Sequence, residues 1–309
     1  MFTNKDEGTS KLQERILALK KEKNALILAH YYQTMDIQEI ADHVCDSFEM
    51  ARRAHSAQQE LLIICGVHFM AESAKILNPG KTVLLPVLDA GCPMADMILP
   101  EDVLALQGRY PGSAVVCYVN SSAAVKAVSD VCCTSSSAER IVRALPEDRI
   151  IFIPDRNLGT YIASKVRDKE FVFHNGWCPV HDCIGASDVI SAKKSHPNAQ
   201  LLVHPECRGD VLGLADYIGS TSEIISYALD STVANEFIIG TELGVVEHLS
   251  ALAPEKRFYS LTSDFVCDDM KKVTLSDVLN TLETGKFEIT LSVEEINAAK
   301  RSLERMVSM

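Results

Sequence analysis

Three stretches of this sequence repeat one pattern at intervals of 86 to 89 residues, and a repeat of that size decides the fold before any single residue does. An apolar run ending in polar residues, Leu26-Ile27-Leu28-Ala29-His30-Tyr31-Tyr32, leads to A-D-H-V-C-D-S-F at 41–48. Ala114-Val115-Val116-Cys117-Tyr118-Val119-Asn120 leads in the same way to S-D-V-C-C-T-S-S at 129–136, and Leu201-Leu202-Val203-His204-Pro205-Glu206 to A-D-Y-I-G-S-T-S at 215–222. Each copy reads as a short strand, an apolar-periodic helix, then an aspartate and a small hydroxyl cluster. The matching aspartates, Asp42, Asp130 and Asp216, stand 88 and 86 residues apart.

The second half of each copy repeats too. A strand at 61–66, 150–154 or 237–240 is followed by a helical stretch, a further strand and a cysteine: Cys92, Cys178 and Cys267, separated by 86 and 89 residues. Strands alternating with helices predict parallel sheets covered on both faces. The expected fold is α/β, with three similar three-layer αβα domains arranged about a pseudo-threefold axis. The boundaries expected are 1–93 completed by 268–309, then 94–179 and 180–267. Residues 1–24 read as an added helix with Ser10 as its cap, and the tail as one helix from Leu275 to Thr284, stopped by Gly285, and another from Val293 onward. Length alone, 309 residues, suggests two domains of ~150; the repeat raises that to three.

Composition narrows the partners. With 47% hydrophobic and 23% charged residues, the chain is an ordinary globular one rather than disordered or fibrous. A net charge of −12 repels phosphate backbones and anionic lipid, so neither nucleic acid nor membrane is expected. No apolar run approaches the ~20 residues that span a bilayer, and the start Met1-Phe2-Thr3-Asn4-Lys5-Asp6-Glu7 has no signal-peptide pattern. A cytoplasmic location is expected.

There, ten cysteines are not a disulfide framework. Three sharing the repeat period would form one ring at the floor of a central cavity. Three thiolates with an open place suit an iron-sulfur cluster that leaves one iron unligated, a Lewis acid able to assist loss of water. The other seven read as packing residues: Cys65 and Cys117 in strands, Cys45, Cys132 and Cys133 at the turn before the hydroxyl clusters. Cys183 and Cys207 lie near enough in sequence to approach the cavity. The hydroxyls Ser47, Ser135, Ser220 and Thr221 begin helical stretches and suggest carboxylate or phosphate sites, although helix capping uses the same residues. His30, Tyr32, Tyr118, His204 and Glu206 supply strand-end groups for proton transfer. His181, three residues after Cys178, is either support for a cluster or a substrate contact. His43, His55, His196 and His248 read as surface.

A-H-Y-Y-Q at 29–33, G-V-H-F-M-A-E-S at 66–73, D-A-G-C-P-M-A at 89–95, Y-V-N-S at 118–121, C-C-T-S at 132–135, C-P-V-H at 178–181, H-P-E at 204–206, G-S-T-S at 219–222 and G-T-E at 240–242 together resemble the quinolinate synthase family, from about residue 25 to the C-terminal end. The resemblance implies condensation of iminoaspartate with dihydroxyacetone phosphate, with loss of phosphate and two waters, in NAD biosynthesis. It implies a 4Fe-4S cluster on Cys92, Cys178 and Cys267, the three the repeat singles out. It implies catalysis by Tyr32, Tyr118, His204 and Glu206. Substrate contacts would come from these and from His30, Ser47, Asn120, Ser135, His181, Ser220 and Thr221. Functional coupling to an aspartate-oxidising enzyme follows from the first substrate. Some family members carry C-x-x-C-x-x-C near the third ligand; here Cys267 stands alone, and Cys207 after H-P-E is a further departure. The competing readings are an electron-transfer iron-sulfur protein and a zinc-stabilised binding module.

Overall fold

Twelve short strands form three four-stranded sheets with one shared plan. The computed structural model describes residues 7–309; the Met1–Asp6 part of the predicted leading helix and of the start lacking a signal pattern lies outside them. The strands are β1 Ala25–His30, β2 His43–Cys45, β3 Leu61–Cys65, β4 Thr82–Leu84, β5 Ala114–Tyr118, β6 Val131–Cys133, β7 Arg149–Ile153, β8 Glu170–Phe173, β9 Gln200–Val203, β10 Tyr217–Ile218, β11 Glu236–Gly240 and β12 Arg257–Ser260. Their orders are β2-β1-β3-β4, β6-β5-β7-β8 and β10-β9-β11-β12, and every pairing is parallel. Central strands such as β1 and β5 are buried along their whole length, as parallel strands covered by helices on both sides must be. The chain is therefore α/β with three similar αβα arrangements, one per four-stranded parallel sheet, as the repeat predicts.

The repeated aspartates staple these sheets. The Ile27 N–H donates to Asp42 Oδ2 at 2.8 Å, Val115 N–H to Asp130 Oδ2 at 2.8 Å and Leu201 N–H to Asp216 Oδ2 at 2.7 Å. Each aspartate returns its own N–H to the carbonyl of the same residue, at 2.9, 3.1 and 2.9 Å. One aspartate thus closes the turn between the first and second strands in every sheet, which explains its place in the period without any catalytic role.

Two compact units divide the chain. One takes in the sequence up to Cys92 together with Asp268–Ile296, the other Pro93–Cys267 together with Asn297–Met309. The first holds one sheet, and its core joins Ile27, Ile63 and Leu84 to Val278 and Leu282 of the tail helix Leu275–Thr284. Gly285 ends that helix at φ 66°, the left-handed stop the sequence predicts. The second unit holds the other two sheets, with one core cluster running from Val189 and Leu201 to Ile238 and Phe265.

Some details differ from the sequence reading. Ser10 is inside the helix Glu7–Glu22 rather than capping it. Cys45, Cys132 and Cys133 end β2 and β6 rather than sitting in turns. His196 is half-buried and stacks on Tyr259 with ring centroids 3.6 Å apart, and His248 is half-buried as well, so neither is a plain surface residue. Among the described residues no helix is long and apolar enough to cross a membrane.

Candidate functional site

In each sheet the chain steps to one side after its first strand and to the other after its third, leaving a crevice between the two at their carboxyl ends, where ligands of open α/β sheets collect. His30 ends β1, Tyr118 ends β5 and His204 directly follows β9, so the three stand at one equivalent position.

The second unit builds a buried acid–base centre from these strand ends. The Tyr118 hydroxyl donates to Glu206 Oε1 at 2.5 Å, and Glu206 Oε2 lies 2.8 Å from His181 Nδ1 and 3.8 Å from His204 Nδ1. The His181 and His204 rings stack with centroids 4.8 Å apart. His181 Nε2 is 3.0 Å from Thr241 Oγ1, and its Nδ1 is 3.3 Å from Cys178 Sγ. With one proton on Nδ1, the closer carboxylate receives it. The backbone N–H of Glu206 donates to His204 Nδ1 at 3.4 Å, which leaves the His204 proton on Nε2. Asn157 Nδ2 holds the Glu206 carbonyl at 3.0 Å and Asp182 Oδ1 at 2.7 Å.

Burial sets the charges here. It is the main force holding His204 down, to about 4, against the upward pull of Glu206, with His181 adding to the fall. Burial works against ionisation of Glu206 as well, yet the imidazoles and the hydrogen bonds from His181 and Tyr118 outweigh it and hold the carboxyl far below its usual range. A neutral His204 cannot supply a full positive charge at neutral pH, so the direct donors His181 and Tyr118 carry that stabilisation. Asp155, fully buried, is pushed well above the usual carboxylate range by burial and then by the Glu206 charge, against backbone N–H groups of Leu158, Asn157 and Cys178.

The turn that carries Tyr118 is clamped from inside. The fully buried Lys126 donates from Nζ to the Ser121 carbonyl at 2.7 Å, and Ser121 Oγ donates to the Tyr118 carbonyl at 3.0 Å. Nearby Asn120 keeps a buried Oδ1 with no hydrogen-bond partner, an acceptor suited to a ligand N–H or O–H.

The cysteines sort by exposure. Six are buried, Cys183 is exposed, and Cys92, Cys178 and Cys267 are the half-buried three. Their loops share one backbone tie. The first helical residue after the third strand donates its N–H to the carbonyl two residues before the cysteine: His68 to Ala90 at 2.8 Å, Arg156 to Gly176 at 2.9 Å and Leu243 to Phe265 at 2.9 Å. Cys207 packs in the core with its thiol pushed well up by burial, and Cys183 turns its Sγ to the Val180 carbonyl at 3.1 Å. Cys178, His181 and Glu206 place one ligand atom each within 4.8 Å of one another, a set able to hold a metal ion.

The remaining predicted residues lie where the period puts them. In the first unit the buried His30 accepts the Tyr32 N–H on Nδ1 at 3.2 Å, with the Tyr32 ring edge-on at 4.5 Å, and Ser47 opens the helix Ser47–Ser56 capped by Asp46. In the second, Ser220 caps the helix Thr221–Asp230 in a capping box with Glu223, while Ser135 sits in the turn before the helix Ala138–Ala144. Sequence reasoning gave no role to Asp155, Asn157, Thr241 or Glu242. The signal was there: P-D-R-N at 154–157 and G-T-E at 240–242 follow equivalent third strands.

An α/β scaffold with a phenol, a carboxylate and two imidazoles buried beside a half-buried thiol is the equipment of an enzyme that moves protons next to a metal. The family model for Quinolinate synthetase A protein matches residues 14–308. The quinolinate synthase of Caldicellulosiruptor saccharolyticus is 50% identical over 299 residues, 97% of this chain and 98% of that protein. That of Methanoregula boonei is 49% identical over 303 residues, 98% of this chain and 100% of that protein. That of Clostridium perfringens strain SM101 is 47% identical over 295 residues, 96% and 98% of the two chains. The chain belongs to the quinolinate synthase family.

Proposed function

We propose that this chain condenses iminoaspartate with dihydroxyacetone phosphate to quinolinate, releasing phosphate and water, with a 4Fe-4S cluster on Cys92, Cys178 and Cys267. The observation that carries the reading is the buried Tyr118–Glu206–His181 chain ending 3.3 Å from Cys178 Sγ. The donor set fits such a cluster: the three cysteines of the repeat are thiols neither sealed in a core nor open to solvent, and thiolates are the ligands iron-sulfur clusters take. When bound, the cluster supplies a Lewis acid at the iron without a cysteine.

The chain's own groups do the proton work. Glu206 as carboxylate accepts a hydrogen bond from the Tyr118 hydroxyl at 2.5 Å, which fixes the phenol's orientation and leaves its oxygen to accept a hydrogen bond from a substrate N–H or O–H. Neutral His204, with Nδ1 occupied by the Glu206 N–H, presents Nε2–H as donor to a carbonyl or leaving hydroxyl. Tyr32 and His30 offer the same chemistry from the first unit. Ser47, Asn120, Ser135, Ser220 and Thr221 supply hydroxyl, amide and helix-start N–H groups for the carboxylates and the phosphate. In this reading each sheet is one domain, 1–93 with 268–309, 94–179 and 180–267. The enzyme is a transferase of the cytoplasm, and an aspartate-oxidising enzyme supplies its imine.

Anaerobic turnover tests this directly: iminoaspartate generated in situ plus dihydroxyacetone phosphate must yield quinolinate with brown protein. Cys92→Ala, Cys178→Ala and Cys267→Ala must each lose cluster assembly while Cys65→Ala keeps it. A colourless protein with one zinc on Cys178, His181 and Glu206 would overturn the cluster assignment.

A further inference from the structure

The residue just before each shared backbone tie is the N-cap of the following helix: Val67, Asp155 and Glu242. In the third copy that cap, the fully buried Glu242, does more than cap. Glu242 Oε2 accepts the Gly244 N–H at 2.7 Å, while Oε1 faces the Cys267 N–H at 3.5 Å. In the second copy the equally buried Asp155 accepts the Leu158 N–H on Oδ1 at 2.9 Å and keeps a buried Oδ2 with no hydrogen-bond partner. The first copy has Val67 at this place, and there the Gly91 N–H beside Cys92 donates to Asp269 Oδ1 at 3.2 Å instead. Cys267 thus has a carboxyl at its own backbone N–H and Cys92 has one at its neighbour's. The Thr274 cap, with its Asp277 box, makes no such contact.

We propose that Glu242 is a positioning residue whose second oxygen fixes the backbone of Cys267 in the place from which its thiol binds iron. The inference rests on that cysteine being a cluster ligand. Helix capping uses one oxygen of Glu242, and the other faces the cysteine loop. Groups that orient metal ligands from behind typically change metal retention about 10- to 100-fold when removed.

The decisive variant is Glu242→Ser, because a serine still caps a helix but has no second oxygen to reach the cysteine. Two rates are measured: iron release from reconstituted protein to a chelator, and iodoacetamide alkylation of each cysteine in the anaerobic metal-free protein, read by mass spectrometry. Expected are iron release faster by about 10- to 100-fold and faster alkylation of Cys267, with Cys183 unchanged. Thr274→Ala, which removes a cap whose hydrogen bonds stay within its own turn, leaves these rates at wild-type values. Unchanged rates in Glu242→Ser, or equal acceleration by Thr274→Ala, overturn the proposal. If Glu242→Ser fails to fold, hydrogen exchange of the wild-type metal-free protein decides: slow exchange of the Cys267 amide supports the tether, and exchange at open-loop rates overturns it. A wild-type protein that takes up no iron and sulfide defeats the cluster reading instead, and the alkylation and exchange results still judge the tether.

Discussion

Replacing His204 tests the electrostatics of the buried centre in the metal-free protein. Burial holds this imidazole at about 4, the Glu206 carboxylate pulling it up and His181 pushing it down, whereas in an unfolded chain it titrates near ~6.5. Between those values the unfolded chain binds a proton that the folded protein refuses. Stability therefore falls as pH drops, beginning near the unfolded value and levelling off once the folded imidazole also protonates, below about 4. Each unit of separation is worth about 1.4 kcal/mol. From roughly pH 7.5 to 5, about 1.5 units lie below the unfolded value, so wild type loses about 2 kcal/mol through this residue. His204→Asn has no such proton. Urea unfolding of both proteins across that range should show the wild-type advantage shrinking by about 2 kcal/mol toward acid. A stability difference that stays constant with pH refutes the claim that His204 is buried neutral.

Tyr118→Phe removes the hydroxyl 2.5 Å from a buried carboxylate; it should cost about 2 kcal/mol of stability at neutral pH and most of the quinolinate yield, and full stability by urea unfolding would contradict the bond. Asp130→Ala strips the buried Val115 N–H of its 2.8 Å acceptor and should cost about 1–3 kcal/mol, with Asp42→Ala and Asp216→Ala alike because the staple is the same. Gly159→Ala would set a methyl 2.8 Å from Phe152 and 2.9 Å from Phe173, an overpacking of about 1–3 kcal/mol. Gly108→Ala, inside the helix Pro100–Arg109 with open space around it, should instead gain about 0.5–1 kcal/mol, and thermal melts of the pair should move in opposite directions.

The alternation of strands and helices was legible because the main strands are short apolar runs set off by polar residues, and the period carried Asp42, Asp130 and Asp216 to matching turns. The tail helix ended at Gly285 because only the left-handed backbone there was needed to stop it. Ser10 misled because a serine is equally compatible with a helix start and a half-buried helical turn, and the helix already includes Glu7. Glu242 was missed for a different reason. Its importance lies in the second oxygen, and which N–H a second oxygen meets depends on a loop that returns 25 residues later. Sequence spacing carries the strand register but not that return path.

The repeat also fixes a chemical detail that residue type leaves open. An imidazole can carry its proton on either nitrogen, and the choice decides whether it donates or accepts toward a substrate. After β1, the Tyr32 N–H reaches back to His30 Nδ1 at 3.2 Å; after β9, the Glu206 N–H reaches back to His204 Nδ1 at 3.4 Å. The same turn, two residues long, thus forces the proton onto Nε2 in both copies, and it does so with a backbone donor that no substitution other than proline removes. In the middle copy that position is Tyr118, whose oxygen needs no tautomer and is free to pair with Glu206 instead. One backbone arrangement has therefore left an Nε2–H donor in two copies and a carboxylate-bound phenol in the third, polar groups of the kind that enolisation and dehydration steps use.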